Sequence, residues 1–211
     1  MSAPPSQPPP QARDWLQSPD LQRQGPPAFI LAYPNVLPAD ECRALIERFE
    51  ADERVRPSWG KYSERPTNRT GAMLATAQHP DWRDVVERIN SAIRPYLEHY
   101  AGVFTAFKRI LITDQWELSA PLIERIEPGQ GFDWHFDGNL PGTERRVLAT
   151  ILYLADIADG GATQFAYQGA AVQPKAGMLV LFPPFWTHLH RGDTPKAGRK
   201  YNVTNFVVLR S

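Results

Sequence analysis

A chain of 211 residues can bury one sizeable core, and its 23 basic and 23 acidic side chains give a formal net charge of zero. That balance argues against a broad electrostatic footprint for nucleic acid or an anionic membrane, and no run of eighteen apolar residues offers a membrane span. The lone Cys42 excludes an internal disulfide framework and thiolate clusters for zinc or iron–sulfur, and it fits a reducing, cytoplasmic setting, as does an N-terminus without a basic start and apolar stretch.

Residues 1–27 hold eight prolines and little apolar material, so they read as a disordered or polyproline-like arm outside the fold. Order is expected to begin at residues 28–33, a short apolar run that suits a strand. Pro38 suits a first helical turn, and Asp40 and Glu41 suit the positive end of its dipole. Cys42, Leu45, Ile46 and Phe49 then fall on one helical face. A second helix is expected from Pro80, with Trp82, Val85, Ile89, Ile93, Tyr96 and Leu97 as its apolar stripe and Pro95 as a kink or break. Between the helices, residues 52–78 are polar and carry Arg54, Arg56, Lys61, Arg65 and Arg69; they read as a long loop, either solvated or a substrate lid.

From Lys108 the pattern changes to short β-like runs at 109–113, 122–126, 131–137, 147–154, 162–165, 178–182, 186–190 and 201–209, separated by Gly and Pro turn signals. No helical pattern alternates with them, which disfavours a parallel doubly wound sheet. The expected fold is mainly β with flanking helices (α+β), an antiparallel jelly roll with the helices packed outside. One domain is expected over 28–211, with helical support from 38–104 and a jelly-roll core from 109–211.

The chemistry gathers in two of these runs. Side chains two apart on a strand share a face, so His135 and Asp137 point the same way, with Asp133. His188 and His190 share a face of the 186–190 run. Two imidazoles and one carboxylate on three corners of an octahedron form the facial triad of non-haem Fe(II), which leaves the other corners open. A His-x-Asp pair alone is weak, but three of the chain's five histidines lie in these two runs. His79 and His99 read as ordinary helix-border residues. Trp134, Phe185 and Trp186 read as core packing in preference to substrate walls.

Residues 109–211, and more loosely 28–108, resemble the prolyl 4-hydroxylase-like branch of the Fe(II)/2-oxoglutarate-dependent dioxygenases. The resemblance is carried by an ordered string: Glu127 to Asp137 as the entry into the metal strand, Arg146 to Leu154 as the next strand, Asp159 to Phe165 as a Gly-Gly turn, and Val172 to Phe182 as a Pro-x-x-Gly strand. It implies a double-stranded β-helix, a jelly roll with the site inside. In that family a basic residue follows the distal histidine by nine or ten positions. Lys200 is tenth after His190, whereas Gly198 is tenth after His188, so the resemblance implies the ligand set His135, Asp137 and His190. It further implies that Lys200, with Tyr153 and Thr204, receives the C5 carboxylate of 2-oxoglutarate, an anion too costly to bury unpaired. The family often has Tyr where this chain has Ile126 and Glu where it has Ala162.

The activity so implied is hydroxylation of an unactivated C–H on a peptidyl side chain, an amino acid or another small metabolite. Fe(II) is the cofactor, 2-oxoglutarate and O₂ are co-substrates, and succinate and CO₂ are released; ascorbate is a further candidate cofactor. The expected partner is a peptide or small-molecule substrate, with no nucleic acid and no membrane. Two other readings of the residues are a cupin-like metal-binding or sensing module without 2-oxoglutarate turnover, and an oxygenase fold kept for protein interaction.

Overall fold

The computed structural model describes residues 28–57, 71–113, 115–138, 143 and 145–210. The arm 1–27, and residues 58–70 of the stretch between the first two helices, lie outside the described residues.

The first elements are β1 (Leu31–Tyr33), α1 (Ala39–Glu50), β2 (Arg56–Pro57) and β3 (Ala72–Ala75). Pro38 sits at the N-cap of α1 with ψ at 147°, just outside the helical region, and Asp40 and Glu41 occupy the first turn while Arg48 occupies the last. Cys42, Leu45 and Phe49 bury the predicted face. The stretch 52–78 is not wholly loop: β2 pairs with β3, and β3 pairs with a strand of the main sheet. Arg54 binds Asp52 and Asp81 in a surface network that ties this stretch to the start of the second helix.

That helix, α2 (Arg83–Val103), is not broken at Pro95 but continues through it. Its buried stripe, Ile89, Ile93, Leu97 and Tyr100, continues on both sides of the proline. Each fully buried side chain of this size contributes about 1.5–3 kcal/mol, enough to offset the roughly 3 kcal/mol cost of one internal proline. A third helix, α3 (Thr105–Thr113), replaces the strand expected at 109–113. Phe107 is buried and Ile110 and Leu111 pack against the core, whereas Ile112 is 71% exposed. That is helical period, which a three-residue apolar run conceals.

The strands that follow are β4 (Trp116–Leu118), β5 (Leu122–Ile126), β6 (Phe132–His135), β7 (Arg146–Tyr153), β8 (Thr163–Phe165), β9 (Ala170–Val172), β10 (Leu179–Phe182), β11 (His190–Gly192) and β12 (Lys200–Leu209). They form two antiparallel sheets. The major sheet has the order β1-β10-β7-β12-β5-β3-β2, with β4 paired to β12, and the minor sheet has the order β6-β11-β8-β9. The two sheets and outer helices give the expected jelly-roll class as an open sandwich, not a closed barrel. β1 and β3 show that the region before residue 104 supplies sheet as well as helix.

Alternation along the central strands explains the layering. Leu148 and Leu152 of β7, and Val203 and Val207 of β12, face the helices and join Phe49, Ile93 and Leu97 in the larger core. Ala149, Ile151 and Tyr153 face the other way, meeting Phe165, Val180 and Phe182 in a smaller core between the sheets. The inward residues of β12 are Lys200, Asn202, Thr204 and Phe206, and they line a cavity.

Candidate metal and anion site

β6 and β11 are neighbours in the minor sheet, and their register sets His135 opposite His190. Two expected strands end early here. β6 stops at His135, so Asp137 lies beyond the ladder, where its N–H and that of Gly138 both donate to Pro184 O at 2.9 and 2.8 Å. The run 186–190 is a one-turn 3₁₀ segment, Trp186–His188, followed by β11. His188 and His190 therefore do not share a strand face.

The three side chains nevertheless meet. Nε2 of His135 lies 3.6 Å from Asp137 Oδ1, and Nε2 of His190 lies 3.5 Å from Asp137 Oδ2. One ligand atom from each residue falls within 4.8 Å of the others. Backbone carbonyls fix which imidazole nitrogen faces inward. Nδ1–H of His135 donates to Asp133 O at 2.7 Å, and Nδ1–H of His190 donates to His188 O at 3.0 Å. A carbonyl can only accept, so both Nε2 lone pairs point into the cluster. Burial pushes His190 down to about 4, against the pull of Asp137, so its imidazole is neutral at ordinary pH. Two imidazole nitrogens and one carboxyl group converging in this way suit a divalent ion.

His188 is buried but turned away from the cluster: its Nε2 meets Ala28 O at 3.0 Å, and its Nδ1 meets Thr187 Oγ1 at 3.0 Å. Tyr100 of α2 donates to Phe29 O, and the Phe29 ring packs on Phe104. Residues 28 and 29 are thus pinned between α2 and the turn that orients His190.

A cavity of about 120 Å³ opens beside the cluster. Lys200 lines it at 2% exposure, with its ammonium 5.5 Å from the centre of the Tyr153 ring. Burial lowers its pKa to about 8, while Glu124 and Asp193 pull it back up. Among the described residues no carboxylate stands within ion-pair distance of this ammonium, and Asn202 Oδ1 is buried without a hydrogen-bond partner. A buried cation and an unsatisfied polar atom on one cavity wall fit an anionic ligand with polar neighbours. Thr204 lines the same wall. Tyr153 does not: its hydroxyl donates to Thr163 Oγ1 at 2.6 Å, and Thr163 is the residue that reaches the cavity.

Thr163, Arg146 and Glu124 belong to the site without having stood out in the sequence. Arg146 was detectable as a charge opening an otherwise apolar strand. Its guanidinium lies 3.8 Å from the Phe206 ring centre and donates to Asp137 O at 3.0 Å, which steadies the ligand loop. Glu124 is 2% exposed and registers opposite Asn202. Trp134 and Trp186, expected in the core, are 39% and 64% exposed, and Trp134 stacks under Arg191.

Comparison with known proteins gives concordant matches. The family model described as the 2OG-Fe(II) oxygenase superfamily matches residues 121–208. A probable prolyl 4-hydroxylase of Arabidopsis thaliana is 22% identical over 209 residues, covering 83% of this chain and 67% of its own length. The viral collagen prolyl hydroxylase of Paramecium bursaria Chlorella virus-1, solved as a 2OG complex, superposes with a TM-score of 0.64 at 19% identity, covering 86% of this chain and 96% of its own. The Trichoplax adhaerens prolyl hydroxylase, solved with a hypoxia inducible factor peptide fragment, superposes with a TM-score of 0.68 at 12% identity, covering 86% and 84%.

Proposed function

Because the chain belongs to the 2OG-Fe(II) oxygenase superfamily, on its prolyl 4-hydroxylase-like branch, we propose that His135, Asp137 and His190 hold its Fe(II) and that Lys200 receives its 2-oxoglutarate. The protein is an Fe(II)- and 2-oxoglutarate-dependent hydroxylase. When bound, Fe(II), 2-oxoglutarate and O₂ supply hydroxylation of an unactivated C–H, with release of succinate and CO₂.

The protein's part is placement and exclusion of water. Asp133 O and His188 O hold the two imidazoles so that Nε2 faces the ion. Pro184 O and Arg146 hold the Asp137 segment from either side of its peptide. Lys200, on the sheet facing the histidine ligands, offers the distal carboxylate a cation in the same cavity, and Thr204 beside it and Thr163 across from it offer hydroxyls. Tyr153 acts behind Thr163, orienting its hydroxyl. The observation that carries the assignment is the cavity itself, with a converging triad at one side and a buried ammonium at the other. A metal module without 2-oxoglutarate turnover would have no use for that ammonium.

The substrate is proposed to be a peptide; support comes from the Trichoplax neighbour solved with a peptide fragment. The described residues contain no helix long and apolar enough to cross a membrane. A reducing compartment such as the cytoplasm is proposed from the single, buried, unpaired Cys42. The test of the assignment is succinate formation from 2-oxoglutarate with Fe(II), by the intact chain and by His135→Ala, Asp137→Ala and His190→Ala. Succinate from the intact chain alone is expected. Full turnover by any of the three variants would remove that residue from the ligand set.

A further inference from the structure

β11 is an inner strand of the minor sheet, paired to β6 on one side and to β8 on the other, and Gly192 is its last residue. The register sets Gly192 opposite Phe132 on β6 and opposite Thr163 on β8. Cross-strand partners present their side chains on one face. Here that face is a wall of the metal cavity, which Phe132, Gly192 and Thr163 all line. The wall thus carries a ring and a hydroxyl residue with no side chain between them. Lys200 stands across this gap: a Cβ on Gly192 would lie 3.8 Å from its ammonium nitrogen and 3.6 Å from the Phe132 ring.

Glycine is a poor residue for an inner strand, with no side chain to pack and the most freedom to lose on folding. Two local reasons could demand it, and neither applies. Gly192 does not take a positive φ, whereas Gly160, Gly161 and Gly177 do, so its backbone conformation is open to any residue. The register shift between His190 and Gly192 is therefore made without left-handed backbone. Nor does the protein crowd the position. Both contacts of an added Cβ are of ordinary van der Waals length, whereas a Cβ on Gly131 would meet Gly192 O at 2.9 Å. What a methyl at 192 would take is space beside the ammonium. A carboxylate oxygen pairs with an ammonium at about 2.7–2.9 Å, and a methyl 3.8 Å from the same nitrogen would contend for that place.

We propose that Gly192 is a selectivity residue for the co-substrate: its missing side chain opens the slot between Phe132 and Thr163 in which the distal carboxylate of 2-oxoglutarate meets Lys200. The proposal rests on the assignment of Lys200 as the receiver of that carboxylate. Gly192 acts by leaving the approach to the ammonium open, so it matters only to ligands that carry a distal carboxylate. A ligand that takes the metal end alone has no use for the slot.

The test is Gly192→Ala in the full chain, read by stability and by binding, which a purely structural role would move together. The melting temperature of the metal-free variant is expected to rise or to stay within about 2 °C of wild type, because alanine fits the backbone and narrows the unfolded ensemble. Calorimetric titration of the Mn(II)-loaded variant is expected to show 2-oxoglutarate binding weakened at least about fivefold and oxalate binding changed by less than about twofold. Oxalate is the probe for the metal end because it has no distal arm. A melting temperature lowered by more than about 2 °C, or a variant that does not fold, makes the glycine a structural requirement and overturns the proposal. A smaller change in 2-oxoglutarate affinity overturns it, as does a larger change in oxalate affinity, which would place the damage at the metal. Lys200→Ala separates the two levels. If that variant binds 2-oxoglutarate as well as wild type, the assignment of Lys200 has failed. If it binds 2-oxoglutarate weakly while Gly192→Ala binds it normally, this inference alone has failed.

Discussion

His190 is the most enclosed of the candidate ligands, with Phe182 and Phe165 against its ring and its Nδ1–H tied to His188 O. Enclosure gives a pH signature. Unfolded, it titrates near the ordinary 6.5; folded, burial takes it to about 4. Between those values the unfolded chain holds a proton that the native chain lacks. Its contribution to the stability of the metal-free protein is therefore complete above about pH 6.5 and lost progressively as pH falls towards 4. His190→Gln should flatten the fall in urea midpoint between pH 6.5 and 4.5; parallel curves for the two proteins would refute this. Lys200 gives a second residue-scale test. Lys200→Ala should weaken 2-oxoglutarate binding roughly 100-fold or more, corresponding to about 3–5 kcal/mol for breaking a buried pair, while Mn(II) affinity stays nearly unchanged. Unaltered 2-oxoglutarate affinity in the variant would place the co-substrate elsewhere. These residues were legible because metal and anion chemistry needs few residue types at set spacing. Thr163 and Glu124 were not, because their presence in the cavity depends on cross-strand register, such as Glu124 opposite Asn202, which spacing along one strand does not reveal.

Among the elements, long periodic ones were readable and short ones were not. The α1 and α2 stripes and the alternation of β12 bury the residues their periods select. The 109–113 run misled because three apolar residues, Ile110 to Ile112, suit either period, and the helix around it is visible only from Phe107 onward. Residues 186–188 form a turn because pairing to β6 and β8 begins at His190. That turn supports a prediction. His188 bridges Ala28 O to the turn whose carbonyl orients His190. His188→Ala should lower Mn(II) affinity several-fold yet retain substantial turnover at saturating Fe(II), and His188→Gln, which can still donate to Ala28 O, should restore much of the affinity. Equal metal binding by all three proteins would leave the ring without a positioning role. A second connection is as tightly specified. Gly177, at φ 75°, accepts the N–H groups of Val36 and Leu37 on its carbonyl, and a Cβ there would overlap Leu37 O. Gly177→Ala should therefore cost about 2–4 kcal/mol in urea unfolding, from left-handed strain plus displacement of the segment entering α1. A loss under 0.5 kcal/mol would show that the connection yields easily.

At the scale of the molecule, the helices brace one face of the major sheet while the minor sheet carries both histidine ligands, so the site lies between layers that meet through the smaller core. The described fold begins at residues 28 and 29, pinned by His188 and Tyr100. The sequence before them is a third proline and poor in apolar side chains, too little to repay the entropy of ordering it in a packed core. The two truncations should therefore part company. Removing residues 1–27 should leave the melting temperature within about 2 °C and 2-oxoglutarate turnover near wild type. Removing residues 1–30 also takes the Ala28 carbonyl and the Phe29 ring, and it should lower both the melting temperature and Mn(II) affinity. The shorter truncation is the critical one. If it alone lowers the melting temperature by more than about 5 °C, the arm contributes to the fold. If mass spectrometry of the intact chain after turnover finds hydroxylated prolines within residues 1–27, the arm is a substrate, and the peptide assignment gains its first named sequence.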